Sequence, residues 1–286
     1  MRFGLVLGAG GARAWVFHVG VLRTIRASGF EPPQASVIVG TSAGASIGAA
    51  LRAGLGVDEI LEEVTTPPTD DQRSAMLEQV RAARKTLKPL SAGLARHALP
   101  GGNGVGVAVA GLLPPGWFPT GWLASFPGMD RFDSWPDGLW IPAVRADDGA
   151  VVVFGRDRTD VAVHAAAEAS SAVPGLFRPR TIDGEAFVDG GVASSTHADL
   201  LVDAGVDLAV VSAPLSAPSL RPFSYLARRA LADEVAALEG AGIETIVVRP
   251  DAEAAKAARG YPRRNPGAAS AILGHAERAA RRALAA

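Results

Sequence analysis

The chain has 286 residues, of which 48% are hydrophobic, and its formal net charge is -1. This composition is sufficient for a large core, and the charge balance excludes the basic footprint of a nucleic-acid-binding protein. Cysteine is absent and the five histidines lack metal-ligand spacing, so we expect no disulfide, no thiolate chemistry, no metal and no cofactor.

The sequence gives little sign of export or membrane insertion. Residues 2–14 superficially imitate a signal peptide, but their apolar run is short and interrupted by glycine. Nowhere does the chain hold the roughly 18 consecutive apolar residues that a spanning helix needs. We therefore expect a cytoplasmic protein whose contact with a membrane surface is at most peripheral and transient. The oligomeric state is not readable from the sequence.

The chain begins with a strand, a glycine-rich loop and a helix. Residues 2–7 are an apolar run of strand length, and residues 14–25 carry helical spacing. Between them, a dinucleotide fingerprint would need glycine at Arg13 and an acid after the second strand, and both are missing. The loop instead predicts a nest of backbone N–H groups at a helix N-terminus, which favours an anion.

In a serine hydrolase that anion is the tetrahedral oxyanion. We assign its donors to the backbone of Gly10 and Gly11, with Arg13 adding positive charge nearby and Gly8 supporting the turn. The alternative is that this glycine-rich turn serves only close packing.

A second strand runs into a helix within residues 36–50, through the pentapeptide Gly40-Thr41-Ser42-Ala43-Gly44. A G-x-S-x-G turn needs glycine at both ends because a side chain there would collide with the strand or the helix. The strained turn leaves the serine hydroxyl exposed. Ser42 is therefore the predicted nucleophile, supported by Gly40 and Gly44, and a purely structural turn is the alternative.

The middle of the chain is predicted to be an insertion or lid, residues 57–138, within a single domain that spans 1–286. It opens with predicted helices at 57–66 and 70–88, and residues 100–138 are rich in glycine, proline and aromatics. The aromatic side chains are candidates for the wall of an acyl-chain pocket or for an interfacial contact, with ordinary packing as the alternative: Trp117, Phe118, Trp122, Phe126 and Trp135.

The remaining chain alternates strands with helices, which predicts a sheet covered on both faces. Strands are predicted at 139–145, 151–154, 206–212 and 243–248, a hairpin at 181–188, and helices at 160–171, 196–204, 224–239 and 267–285. Asp189-Gly190-Gly191 follows the hairpin. The two glycines allow a tight turn, so the Asp189 carboxylate can project toward another loop, although a capping role is the simpler interpretation.

The order of the Gly-Gly-x-Arg loop, the G-T-S-A-G turn and the distant D-G-G motif resembles the patatin-like phospholipase family. The resemblance covers residues 2–56 and about 139–215, including the stretch from Leu7 to Leu22 and the run Ala169–Phe177 before the aspartate. It implies a three-layer α/β/α fold with a mostly parallel sheet. It also implies a hydrolase that cleaves acyl esters of phospholipids or related lipids.

Catalysis in that family uses a Ser-Asp dyad without histidine. The resemblance carries this dyad over to Ser42 and Asp189, with Gly10, Gly11 and Arg13 at the oxyanion. The chain departs from the family pattern at three places, namely Ala9 and Ala14 where glycine is usual, and residues 193–197, Ala-Ser-Ser-Thr-His, where Asn-x-Pro is frequent.

Two other interpretations stay open. An α/β-hydrolase triad in the order Ser, Asp, His could use Ser42, Asp189 and either His197 or His275. A patatin-fold protein that binds lipid or a partner without turnover is the other. His18 has helical spacing in the first helix and is interpreted as structural.

Overall fold

The structure is a computed structural model that describes residues 1–67, 104–219, 222–257 and 261–286, together with 69–70, 73–74, 77–78, 81 and 94. Most of the helix predicted at 70–88 and the start of the segment at 100–138 lie outside the described residues. The division of the chain into one domain with an insertion stays a prediction.

The described strands form one sheet, in the order β5-β6-β3-β2-β1-β7-β8 with β4 paired to β3. From β3 to β8 along this order the neighbours are parallel, whereas β4 and β6 run antiparallel to β3. The strands are β1 Phe3–Leu7, β2 Val37–Gly40, β3 Leu139–Arg145, β4 Val151–Phe154, β5 Arg180–Ile182, β6 Glu185–Asp189, β7 Leu208–Ser212 and β8 Glu244–Val248. The mostly parallel α/β class predicted from the sequence is confirmed.

Helices cover both faces of this sheet. The described helices are α1 Gly11–Ala27, α2 Ala43–Arg52, α3 Val57–Thr65, α4 Gly104–Leu112, α5 Val163–Ser170, α6 Pro222–Gly240, α7 Ala252–Ala257 and α8 Pro266–Leu284. Strand β1 is continuously apolar because both of its faces are buried. Leu5 and Leu7 pack into the core that contains α1, α2 and α8, whereas Val6 packs into a second core that contains Leu231 and Leu238 of α6. Within this described part of the chain, no helix is both long and apolar enough to cross a bilayer.

One predicted helix is wrong. The sequence favours a helix at 196–204, but the structure has only a short 3-10 turn, Ala198–Leu201. His197 precedes that turn with a left-handed backbone, φ 53°. A left-handed residue at this position interrupts a right-handed helix, and the Ala198 N–H donates instead to the Glu234 carboxylate at 2.9 Å.

The strand ends bring the three motifs together. Parallel pairing aligns Leu7 at the end of β1 with Gly40 at the end of β2. On the other side of β2, antiparallel pairing sets Asp189, the last residue of β6, opposite Ala143 of β3. Strand β2 ends beside the middle of β3, so the residues that follow β1 and β2 lie close to Asp189, although β6 runs in the opposite direction.

Candidate active site

The turn after β2 has the geometry of a nucleophile elbow. Ser42 has φ 53° and ψ -113°, a conformation that non-glycine residues rarely adopt. A Cβ at Gly44 would lie 1.8 Å from the Leu7 carbonyl oxygen, and a Cβ at Gly40 would lie 2.6 Å from the Gly44 carbonyl oxygen. The steric reason that the sequence gives for both glycines therefore holds in the structure.

A serine from α5 holds this strained turn in place. The Ser42 N–H donates to the Ser170 hydroxyl at 2.9 Å, and that hydroxyl donates to the Pro142 carbonyl of β3 at 2.7 Å. Ser170 thus ties the elbow to the neighbouring strand. Sequence reasoning missed this role, and the available signal was only that Ser170 lies within the family-like run 169–177.

Asp189 faces Ser42 from the end of β6. Its side chain is buried, its Oδ1 accepts the Gly191 N–H at 2.7 Å, and its backbone N–H donates to the Ala172 carbonyl at 3.0 Å. Burial raises the pKa of the Asp189 carboxyl to about 7, against the opposing effects of hydrogen bonds from the Ser42 side chain and the Gly191 N–H. This value lies well above the ordinary pKa of an aspartate, about 4, so burial makes the Asp189 carboxylate a stronger base.

The glycine-rich loop joins β1 to the N-terminus of α1. Gly11 begins the helix in a left-handed conformation, φ 64°. Among the described residues, neither the Gly10 nor the Gly11 N–H donates to a protein acceptor. Both donors stand at the positive end of the helix dipole, as the anion-binding prediction requires. Arg13 follows on the exposed first turn of α1.

His18 supports this loop from beneath. Its Nε2 donates to the Gly8 carbonyl at 2.8 Å, which leaves Nδ1 to accept the Ser212 hydroxyl at 2.8 Å. Burial lowers the pKa of His18 to about 4, so the ring is neutral in this role. The interpretation of His18 as structural agrees with these contacts, which also fix one end of the predicted oxyanion loop.

Ala9 joins the glycine-rich loop to the aspartate loop. Its side chain is buried, and a Cβ at Gly191 would lie 3.2 Å from the Ala9 methyl group. The departure from the family's glycine triplet therefore places a methyl group between two of the site's loops. It leaves the Gly10 and Gly11 donors in place.

The two histidines weighed for a triad lie elsewhere. His197 Nε2 contacts the Gly190 carbonyl at 3.0 Å, and His275 Nδ1 lies 3.0 Å from Nη2 of Arg278 on α8. Among the described residues, the groups acting on the Asp189 carboxyl are Ser42 and the Gly191 N–H. The structure therefore brings neither histidine to the dyad. The part of the chain that it describes also holds no cluster of three potential metal ligands.

The aromatic segment contributes mainly to packing, which the sequence left as an alternative. The ring of Trp15 in α1 lies 5.9 Å from that of Trp122 and 5.4 Å from that of Phe126, within the main core. Phe118 packs on Phe177, with ring centroids 6.3 Å apart, and Trp135 is half-buried against the core. Of the five aromatic residues, Trp117 is the one classed as exposed.

The fold and these loops define an α/β protein with a serine elbow, a facing aspartate and a helix N-terminus at which the Gly10 and Gly11 N–H groups have no acceptor among the described residues. The sequence model for patatin-like phospholipases matches residues 5–202, well over half of the chain. The protein belongs to the patatin-like phospholipase family.

One solved structure agrees with this assignment at the level of the fold. The chain is similar to VipD from Legionella pneumophila, with 12% identity and a TM-score of 0.51 over 99% of this chain and 67% of that chain. It is also matched to the type III effector protein ExoU, with 16% identity and a TM-score of 0.45 over 99% of this chain and 53% of that chain. A comparison with curated protein sequences found no match.

Proposed function

We propose that this protein is a serine lipid acyl hydrolase in which Ser42 is the nucleophile and Asp189 is its general base. The observation that carries this proposal is that Ser42, on its strained turn, faces the buried carboxyl group of Asp189, whose pKa burial raises to about 7. A general base works best when its pKa lies near the operating pH. Family membership supports a lipid ester as the substrate.

The reaction proceeds in two steps. In the first, the Asp189 carboxylate takes the Ser42 proton as Oγ attacks the ester carbonyl, and the protonated Asp189 returns that proton to the departing alcohol or lysophospholipid. In the second, Asp189 takes a proton from water, which attacks the acyl-enzyme, and Ser42 recovers the proton as the fatty acid leaves. No histidine is needed, because burial has already brought the pKa of the carboxyl near neutrality.

The negative charge of each tetrahedral intermediate is stabilised by the N-terminus of α1. The unpaired N–H groups of Gly10 and Gly11 are the proposed donors, and Arg13 adds positive charge. Removing one donor of this kind typically costs about 3 to 4 kcal/mol of transition-state stabilisation. Since His18 holds Gly8 and Ala9 packs on the aspartate loop, the donors and the dyad keep a fixed mutual position.

The surface beside the dyad favours a substrate that is presented at a lipid interface. An apolar rim is formed by the exposed side chains of Val109, Leu112, Leu113, Trp117, Val173 and Leu176. Its two segments are joined, because the Trp117 N–H donates to the Leu176 carbonyl at 3.0 Å. Neither residues 104–118 nor residues 171–177 contain a charged side chain. An uncharged apolar surface of this kind suits contact with acyl chains.

The apolar rim adjoins the catalytic aspartate. On one side, the Asp189 N–H donates to the carbonyl of Ala172, the residue before Val173. On the other, α4 packs on the loop after Asp189, so that a Cβ at Gly106 would lie 2.4 Å from the Val192 carbonyl oxygen. A lipid that reached this rim would therefore stand next to the dyad. The proposed contact with a membrane surface is peripheral.

The test is hydrolysis of p-nitrophenyl esters and of phospholipid vesicles by the wild type, Ser42→Ala and Asp189→Asn. Ser46→Ala is a matched control, because Ser46 is a buried serine one turn further along α2 whose hydroxyl has no partner among the described residues. The proposal expects both dyad variants to be folded and inactive and Ser46→Ala to be active. An inert wild type would favour the binding-only alternative, and an active Asp189→Asn would refute the assignment of the base.

A further inference from the structure

A buried carboxylate outside the family-matched region organises the loop that follows the aspartate. Glu234 lies on α6, beyond residues 5–202, and its carboxylate accepts three hydrogen bonds from residues 194–198. The donors are the Ser194 hydroxyl, the Thr196 hydroxyl at 2.6 Å and the Ala198 N–H at 2.9 Å. Both carboxylate oxygens are satisfied, as a buried acid requires.

This arrangement sets the direction of His197. The Ser194 hydroxyl oxygen, held by Glu234, accepts the backbone N–H groups of Thr196 and His197, each at 3.2 Å. His197 adopts a left-handed backbone, φ 53°, and its buried ring donates from Nε2 to the Gly190 carbonyl at 3.0 Å. The sequence Ala-Ser-Ser-Thr-His, which departs from the family's Asn-x-Pro, is therefore a folded support that depends on Glu234.

The peptide group between Gly190 and Gly191 transmits this support to the catalytic base. Its carbonyl accepts the His197 ring N–H, and its N–H donates to Asp189 Oδ1 at 2.7 Å. Because a peptide group is planar, fixing its carbonyl also fixes the direction of its N–H. The two hydrogen bonds polarise the same group and strengthen each other.

We propose that Glu234 and His197 are positioning residues for the general base, which they orient through the Gly190–Gly191 peptide group. This inference rests on the proposed function of Asp189. It accounts for His197 without making it a triad member, since its ring reaches a backbone carbonyl and not a carboxylate. A cleft of about 380 Å³ beside α6 is lined by His197 and Glu234 but not by Ser42 or Asp189.

The experiment compares kcat and KM for a soluble p-nitrophenyl ester across matched variants, with Tm measured for each. His197→Leu and His197→Gln have similar size and the same backbone strain, but only glutamine can donate to the Gly190 carbonyl. We expect His197→Leu and Glu234→Gln to lower kcat by about 10- to 100-fold, the scale of a small misplacement of a catalytic group. KM should stay within about twofold of the wild-type value, because the peptide group does not control binding of the ester. His197→Gln should recover most of kcat at the same Tm as His197→Leu, because glutamine can donate to the Gly190 carbonyl. Glu239→Gln, an exposed acid on the same helix, is the control.

The outcomes separate this inference from the proposed function. If Ser42→Ala and Asp189→Asn are inactive while both His197 variants keep the wild-type kcat, the dyad stands and the positioning role is overturned. Equal losses in His197→Leu and His197→Gln, or losses that follow Tm, also overturn it. An inert wild type removes the proposed function and this inference with it.

Discussion

The backbone N–H of Ser42 donates to the hydroxyl of Ser170 at 2.9 Å, across 128 positions of sequence. The Ser170 hydroxyl is buried and donates a hydrogen bond to the Pro142 carbonyl, so one hydroxyl links the elbow, α5 and β3. The elbow is strained, and a strained backbone persists only when its surroundings hold it. The conformation of Ser42, the proposed nucleophile, therefore depends on a residue that takes no part in the proposed chemistry.

Replacing Ser170 by alanine leaves the Ser42 N–H and the Pro142 carbonyl buried without this partner. We expect a loss of about 1 to 3 kcal/mol in the free energy of unfolding and a lower kcat for soluble esters. Urea denaturation and steady-state kinetics measure the two effects. Ser171→Ala, at the less buried neighbouring position, is the control. A fully active Ser170→Ala would show that the elbow keeps its conformation without the Ser170 hydroxyl.

The pH dependence of the reaction follows from the raised pKa of Asp189. Since the base must be ionised, kcat/KM is expected to rise with pH through a midpoint near 7 and then reach a plateau. His18 does not titrate in this range, because burial holds its pKa near 4. A pH-rate profile between pH 5 and 9 measures the midpoint, and a flat profile across that range would contradict the assignment.

The same pKa predicts that Asp189 destabilises the fold at neutral pH. Native Asp189 keeps its proton to about pH 7, whereas the unfolded residue loses it near 3.8, so stability falls as pH rises through this window. About three pKa units at 1.36 kcal/mol each give a cost of up to about 4 kcal/mol. Asp189→Asn should therefore gain stability relative to the wild type between pH 4 and 7.

Denaturant unfolding of Asp189→Asn and wild type at pH 4, 5.5 and 7.5 measures this difference. Asp199→Asn, a variant of an exposed aspartate in the same region, should show no such trend. A difference in unfolding free energy that is independent of pH would mean that Asp189 has an ordinary pKa.

The apolar rim is testable apart from the chemistry. Leu112 is 66% exposed and Trp117 is 41% exposed, so changing either to glutamate should leave the core intact. We expect each change to weaken binding to phospholipid vesicles by about tenfold, because it removes the transfer of one large apolar side chain. Vesicle sedimentation measures binding, and soluble-ester hydrolysis should stay at the wild-type rate. Tyr225→Glu, at an exposed position of α6, is the control, and equal vesicle binding by all variants would refute the contact.

Local patterns predicted much of the fold because the strands are continuous apolar runs with clear ends. Strands β3 and β4 begin and end where the sequence indicates. Ser42 was predicted because the turn requires glycine at the two flanking positions, Gly40 and Gly44, for steric reasons that are local to the turn. Asp189 was predicted through the resemblance, since an aspartate before two glycines is otherwise a common capping residue.

The supports of the site could not be predicted in the same way. Ser170 and Glu234 each contact, through one side chain, a loop that is distant in sequence. No local spacing records such a contact. The helix predicted at 196–204 failed because His197 adopts a left-handed backbone, held by contacts with Ser194 and Gly190 that no local spacing records. The shift in the pKa of Asp189 comes from burial, which depends on the whole packed structure.

The most direct test of the Ser42-Asp189 dyad is labelling with a fluorophosphonate, followed by intact-mass and peptide mapping. We expect one adduct on Ser42, a labelling rate that rises with pH around a midpoint near 7, and little or no labelling of Asp189→Asn. Ser46→Ala should label like the wild type. An adduct on another residue, or undiminished labelling of Asp189→Asn, would contradict the dyad.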